Sequence, residues 1–188
     1  MKRTISGFTV VELLIVIIVI AILATISIVA YNGIQARAEN NKTISAVEAY
    51  VKAIQLYAID NGQYPSTNTW PCIGDYGGVS GIVCGAIVDT VGSTCNYSGG
   101  AAVSSAFDAA VAQYLGKKPL ISLQQTECDG DVYIGAFINR NDANPKALNI
   151  LMFLKGDVVC PIVVGIQSTS RAQAGTTTRC IVNMPLLP

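Results

Sequence analysis

Glu12 is the residue whose setting most clearly calls for chemistry. It stands at the head of an apolar run, and the 24 residues from Leu13 to Ala36 carry no formal charge. A carboxylate near the centre of a bilayer costs about 2.5–3.5 kcal/mol, and less towards the interface. Such an acid is either tolerated at the interface or answered by a positive group on another chain. The second case is ion pairing in a low dielectric, where opposite charges attract far more strongly than in water. Ordinary catalytic chemistry is poorly provided for. The chain has no histidine, the commonest general base near neutral pH and the commonest metal ligand. No phosphate-binding glycine loop, nucleophile elbow or Ser-x-x-Lys occurs. No catalytic residue, cofactor or metal centre is expected. Asp129-Gly130-Asp131 could invite calcium, but two carboxylates about a glycine read more simply as a turn.

The element that must carry Glu12 is a helix. At ~1.5 Å per residue, about 20 apolar residues span the ~30 Å hydrocarbon core of a bilayer. The run is therefore long enough to cross a membrane once. An ordinary secretory signal would have a core of about 7–15 residues and a small-x-small cleavage site. Here the run is longer, and no convincing Ala-x-Ala follows it. Lys2 and Arg3 precede it, which keeps the N-terminus cytoplasmic and sends residues after about 35 outward. The six cysteines, Cys72, Cys84, Cys95, Cys128, Cys160 and Cys180, all follow the run, and none forms C-x-x-C. Without histidine, a zinc site would need four thiolates at unusual spacings. Disulfides in an oxidising exterior are the expected use, which gives the same topology as the basic N-terminus. Connectivity stays open, since six cysteines allow about 15 pairings. Cys160 with Cys180, closing a Ser/Thr-rich loop, is the single pairing favoured.

Gly7-Phe8-Thr9-Val10-Val11-Glu12, between a short basic leader and a long aliphatic run, resembles the processing site of type IV pilins and pseudopilins. The resemblance implies that a prepilin peptidase cuts between Gly7 and Phe8 and methylates the new amino group of Phe8. Glu12 would then be the family's assembly acid, pairing with the Phe8 amine of an adjacent subunit. A homopolymer built through the N-terminal helices is implied. So are a membrane-held precursor before assembly and a pilus assembly platform in the inner or cytoplasmic membrane. Asn61-Gly62-Gln63-Tyr64-Pro65 resembles the segment that ends the long helix in this family. One departure is the absence of a proline near Val29, where many relatives have one; Asn32-Gly33 is the candidate substitute.

The expected fold is α+β. A long N-terminal helix, half transmembrane and half packed, lies against a C-terminal antiparallel sheet with disulfide-stapled loops. Residues 1–7 form the leader and 8–31 the transmembrane or filament-core half of the helix. Residues 32–61 form its amphipathic half and 62–188 the extracytoplasmic domain. One helix from about Phe8 to Asp60 would be ~80 Å long. Ile44, Val47, Val51, Ile54 and Ala58 fall at spacings of three and four, a packing stripe. Gly62 followed by Pro65 is a stop signal. Ile82–Val88 reads as a short strand. Ser104 or Ser105 caps a helix ending near Gly116, with Phe107, Val111, Tyr114 and Leu115 inward. Strands are expected at 132–138, 147–154, 158–164 and 180–184, with Lys155-Gly156-Asp157 as a tight hairpin. Residues 166–179 read as an exposed polar loop.

Formal charge is zero for the whole chain, with 12 basic and 12 acidic side chains. Loss of Lys2 and Arg3 leaves the chain slightly acidic, so nucleic acid, although compatible with the family, is unsupported as a partner. The reading is therefore a filament subunit exposed at the cell surface. The alternative is a pseudopilin of a type II secretion or DNA-uptake machine. A third reading is a single-pass anchored exterior protein that keeps Met1 to Gly7. Adhesion and motility are uses the family offers.

Overall fold

The computed structural model of the chain describes residues 9–66, 70–77, 82–88, 101–140, 147–166 and 168–187. The leader, Gly7, Phe8 and Cys95 lie outside the described residues. The chain divides into two compact units, Met1–Gln35 and Ala36–Pro188. Helix α1, Val10–Asn61, contributes to both.

In the first unit the helix is aliphatic all round. From Val10 to Ile28 no large apolar side chain is buried, with exposures between 47% and 74%. This is the one helix of the described residues long and apolar enough to cross a membrane. Its hydroxyls are satisfied internally: Thr25 Oγ1 donates to Ala21 O and Ser27 Oγ to Leu23 O, each at 2.8 Å. In an apolar medium this local back-bonding removes an otherwise unpaired donor. Helix α1 includes Gly33, so Asn32-Gly33 does not end it.

In the second unit α1 is amphipathic and buries Val47, Tyr50, Val51, Ile54 and Ala58 in one apolar cluster with the sheet. Fully burying each such aliphatic side chain is worth about 1.5–3 kcal/mol. The helix stops where Gly62 takes φ 68° and its N–H bonds Ala58 O at 2.9 Å. That left-handed cap is cheap only for glycine. Asn40, buried, bonds the Lys155 peptide in both directions at 3.0 and 2.9 Å.

The described strands are β1 (Pro71–Cys72), β2 (Ile82–Val88), β3 (Ala101–Val103), β4 (Gln125–Cys128), β5 (Asp131–Ile134), β6 (Ala136–Arg140), β7 (Leu148–Lys155), β8 (Ser168–Ala174) and β9 (Thr177–Asn183). They form one sheet in the order β4-β5-β2-β3-β1-β6-β7-β9-β8. Its pairings are antiparallel except β1 with β3. Helix α2, Ser105–Leu115, is capped by Ser104, whose Oγ accepts from Phe107 N. It seats Phe107 against Tyr50 and Tyr114 against Tyr57, with ring centroids 6.2 Å apart in each pair. Cys72 is bonded to Cys84 and Cys160 to Cys180. Cys128 is disulfide-bonded as well.

Four expectations are corrected. Residues 132–138 are two strands, because Gly135 at φ 65° breaks them and sends β5 to β2 and β6 to β1. Residues 158–164 form no strand: Pro161 lacks the donor a ladder needs, and β7 instead pairs with β9. Consequently Lys155-Gly156-Asp157 is not a hairpin turn. The polar stretch 166–179 is mostly hairpin, β8 pairing with β9 from Ser168↔Asn183 to Ala174↔Thr177 around Gly175.

Candidate assembly site

Glu12, the residue singled out for its setting, meets Thr9 at the start of α1; Gly7 and Phe8 lie outside the described residues. Thr9 N–H and Thr9 Oγ1 both donate to Glu12 Oε2 at 2.8 Å, and Glu12 N–H donates to Thr9 Oγ1 at 3.2 Å. This is a capping box, in which a Thr and the Glu three residues on satisfy each other's orphan amides. Leu13 N–H bonds Thr9 O at 3.3 Å, closing the first turn. The partner that sequence reading missed is thus Thr9, and the signal for it was the Thr-x-x-Glu spacing itself. Both bonds to the carboxylate fall on Oε2. An ionised carboxyl offers about four lone-pair sites, so Glu12 retains acceptor capacity for an outside donor. The box also holds the acid at the helix N-terminus, where the macrodipole favours a negative charge.

What surrounds the box is chemically plain. Val10, Val11, Leu13, Leu14 and Ile15 are all exposed. A helix with this surface needs lipid or other apolar helices around it. The arrangement presents one carboxylate at the start of an aliphatic helix.

Elsewhere, Asp129 (φ 50°) and Gly130 (φ 87°) form the tight turn between β4 and β5, which pair up to Cys128↔Asp131. Two successive positive φ values match the twist of a hairpin. Asp131 is buried and accepts from Tyr133 OH at 2.9 Å. Among the described residues, no cluster of three metal-ligating side chains occurs. Lys118 is paired to Asp108 at 2.6 Å, and Asp108 also accepts from Tyr50 OH at 3.3 Å. Burial pushes the Tyr50 and Tyr76 phenols well above the ordinary tyrosine value. These groups knit α1, α2 and the sheet together.

Residues 2–28 match the family model of the prokaryotic N-terminal methylation motif. Over 66 residues the chain is 36% identical to type II secretion system core protein G of Aeromonas hydrophila, covering 35% of this chain and 46% of that protein. Over 64 residues it is 39% identical to a fimbrial protein of Neisseria meningitidis, covering 34% and 38%. It is 38% identical over 64 residues to the type IV major pilin protein PilE1 of Neisseria gonorrhoeae, covering 34% and 39%. The chain is thus a homologue of type IV pilins and of type II secretion core proteins, and it carries the methylation motif. The matched stretch spans less than half the length of these relatives. No solved structure matches.

Proposed function

We propose that this chain is a type IV pilin, a structural subunit of a surface filament and not an enzyme. A prepilin peptidase cleaves it between Gly7 and Phe8 and methylates the Phe8 nitrogen. The observation that carries this reading is the methylation motif at residues 2–28 heading an exposed, membrane-length helix. Before cleavage the chain is a single-pass membrane protein with its N-terminus in the cytoplasm and residues 62–188 outside. After cleavage Lys2 and Arg3 are gone and Phe8 carries a cationic amine. That amine on one subunit answers Glu12 on the next, an attraction that is large in an apolar filament core. An assembly platform in the membrane extracts each subunit from lipid into the growing polymer.

The identity to core protein G supports a second reading, a pseudopilin of a secretion machine. Electron microscopy of sheared surface material, probed for this chain, separates the two. Long filaments labelled along their length support the pilin; absence of the chain from long fibres supports the pseudopilin.

A further inference from the structure

We propose that the segment 158–166 and the adjoining side of α1 form a docking strip for the apolar helix of a second copy of this chain, an inference that rests on the filament reading. The segment lies outside the sheet, yet its shape is fixed. The Cys160–Cys180 bond ties it to β9. Val158 N donates to Thr178 Oγ1 at 3.2 Å, and Arg171 Nε to Val158 O at 2.8 Å. Gln55 Nε2 of α1 bonds Gly165 O. Val163 is buried and anchors the middle. Its neighbours are held the other way: Val159 is 89% exposed, Ile162 92% and Val164 81%. Three β-branched side chains kept in water on a cross-linked loop contribute nothing to the core of their own domain. They mark a surface for a partner.

The strip has a length and an axis. At one end Val158 and Val159 share a cavity of about 180 Å³ with Arg37, Asn40, Asn41 and Ile44 of α1. Further along, the segment meets α1 at Gln55. Beyond that lies an apolar groove of about 440 Å³ lined by Ala58, Ile59, Tyr64 and Leu187, with Ile59 78% exposed. From Arg37 to Ala58 this covers about 30 Å of helix.

The second copy supplies an occupant of matching length and chemistry. Its Val10–Ile28 stretch is about 28 Å long, exposed throughout, and aliphatic apart from Glu12, Thr25, Ser27 and small alanines. The Thr25 and Ser27 hydroxyls are already bonded within the helix, so burying them leaves no donor unpaired. Charge decides the direction. Arg37 is exposed at one end of the strip and Asp60 stands just past the other. A parallel helix brings the incoming Glu12 near Arg37, a second cation beside the Phe8 amine that a further subunit supplies, whereas an antiparallel one brings it towards Asp60. Between the ends α1 carries Glu39 and Lys42, ion-paired at 2.7 Å, and Glu48 and Lys52, one turn apart and of opposite sign, so the charges there cancel.

The test is a photoreactive benzoyl-phenylalanine at position 162 of the full chain, made in its own cell and irradiated as sheared surface material and as whole membranes. Position 162 is exposed enough to accept the probe without disturbing the fold. Electron microscopy of the same samples scores filaments independently. The proposal expects a cross-linked dimer whose mass-mapped partner peptide lies within residues 10–28 of another copy. Arg37→Glu is expected to lower that cross-link and the filament yield at least tenfold, and Arg37→Lys to retain both. Filaments whose 162 cross-links go to lipid, to a different protein, to another segment of the chain or to nothing overturn the docking strip and leave the filament reading intact. If no filaments form and no copy-to-copy cross-link appears, both fall.

Discussion

Asn40 grips the Lys155 peptide from both sides: its Nδ2 donates to Lys155 O at 3.0 Å, and Lys155 N–H donates to its Oδ1 at 2.9 Å. The two residues are 115 positions apart, so this amide fixes the level at which α1 meets the end of β7. Asn40→Ala leaves a part-buried N–H and C=O without that partner, which costs about 1–3 kcal/mol. Urea unfolding of the full chain in detergent should show this loss. Asn40→Asp, which keeps only the acceptor, should fall between.

Gly135 is held at φ 65°, and an alanine methyl there would overlap Tyr76 Oη. The phenol stands where it does because Ala136 N–H donates to it at 3.2 Å while it donates to Ala136 O at 3.2 Å. Gly135→Ala therefore combines an unfavourable backbone region with a steric conflict against a buried side chain, and about 2–4 kcal/mol of stability should be lost. The same unfolding experiment reads it. Gly33→Ala should be near neutral or slightly stabilising, because nothing lies within 4 Å of its added methyl and the position is helical.

Burial raises the folded-state ionisation of Tyr50 and Tyr76, and the hydrogen bond to Asp60 raises that of Tyr114. A phenol whose folded value is raised binds its proton more tightly in the native state. Its contribution is fully present below the unfolded-chain value near 10, and it is lost as pH rises from there through the folded value. Stability measured from about pH 9 to pH 12 should therefore fall steadily. Tyr76→Phe should be less stable at neutral pH and show a shallower alkaline decline; an unchanged slope would remove Tyr76 from this account.

Glu12→Leu removes a charge whose burial opposes insertion, so membrane association of the precursor should be unchanged. Filament yield should fall at least tenfold, because the amine of the next subunit then meets no acid. Thr9→Val keeps the acid but removes its hydroxyl partner, and costs the helix start about 1 kcal/mol. Its filament yield should lie between wild type and Glu12→Leu. Quantitative labelling of sheared material measures both.

Much of the fold was legible because local signals and burial agreed. The 44, 47, 51, 54, 58 stripe is buried except for half-buried Ile44, and Gly62 ends α1 as its type suggests. Ser104 caps α2 for the same reason. Apart from the local break at Gly135, the failures share one physical cause: strand choice in this sheet is made by long-range pairing. Val158–Val164 is more β-branched than Ser168–Ala174, yet the polar run is the strand. It needs only one neighbour, β9, and as an edge strand it tolerates polar side chains on both faces. Pro161 and the tie to Cys180 hold the apolar run off the ladder. At the assembly site the acid was conspicuous from its apolar setting, whereas Thr9 looked like part of a motif, although its Thr-x-x-Glu spacing already carried the capping signal.

The central claim is that Phe8 becomes a charged, methylated N-terminus which answers Glu12 of a neighbour. Intact-mass and N-terminal peptide mass spectrometry of the chain recovered from the cell surface tests it most directly. The account expects every surface molecule to begin at Phe8 with one added methyl on its nitrogen. Surface material that still begins at Met1 would contradict it.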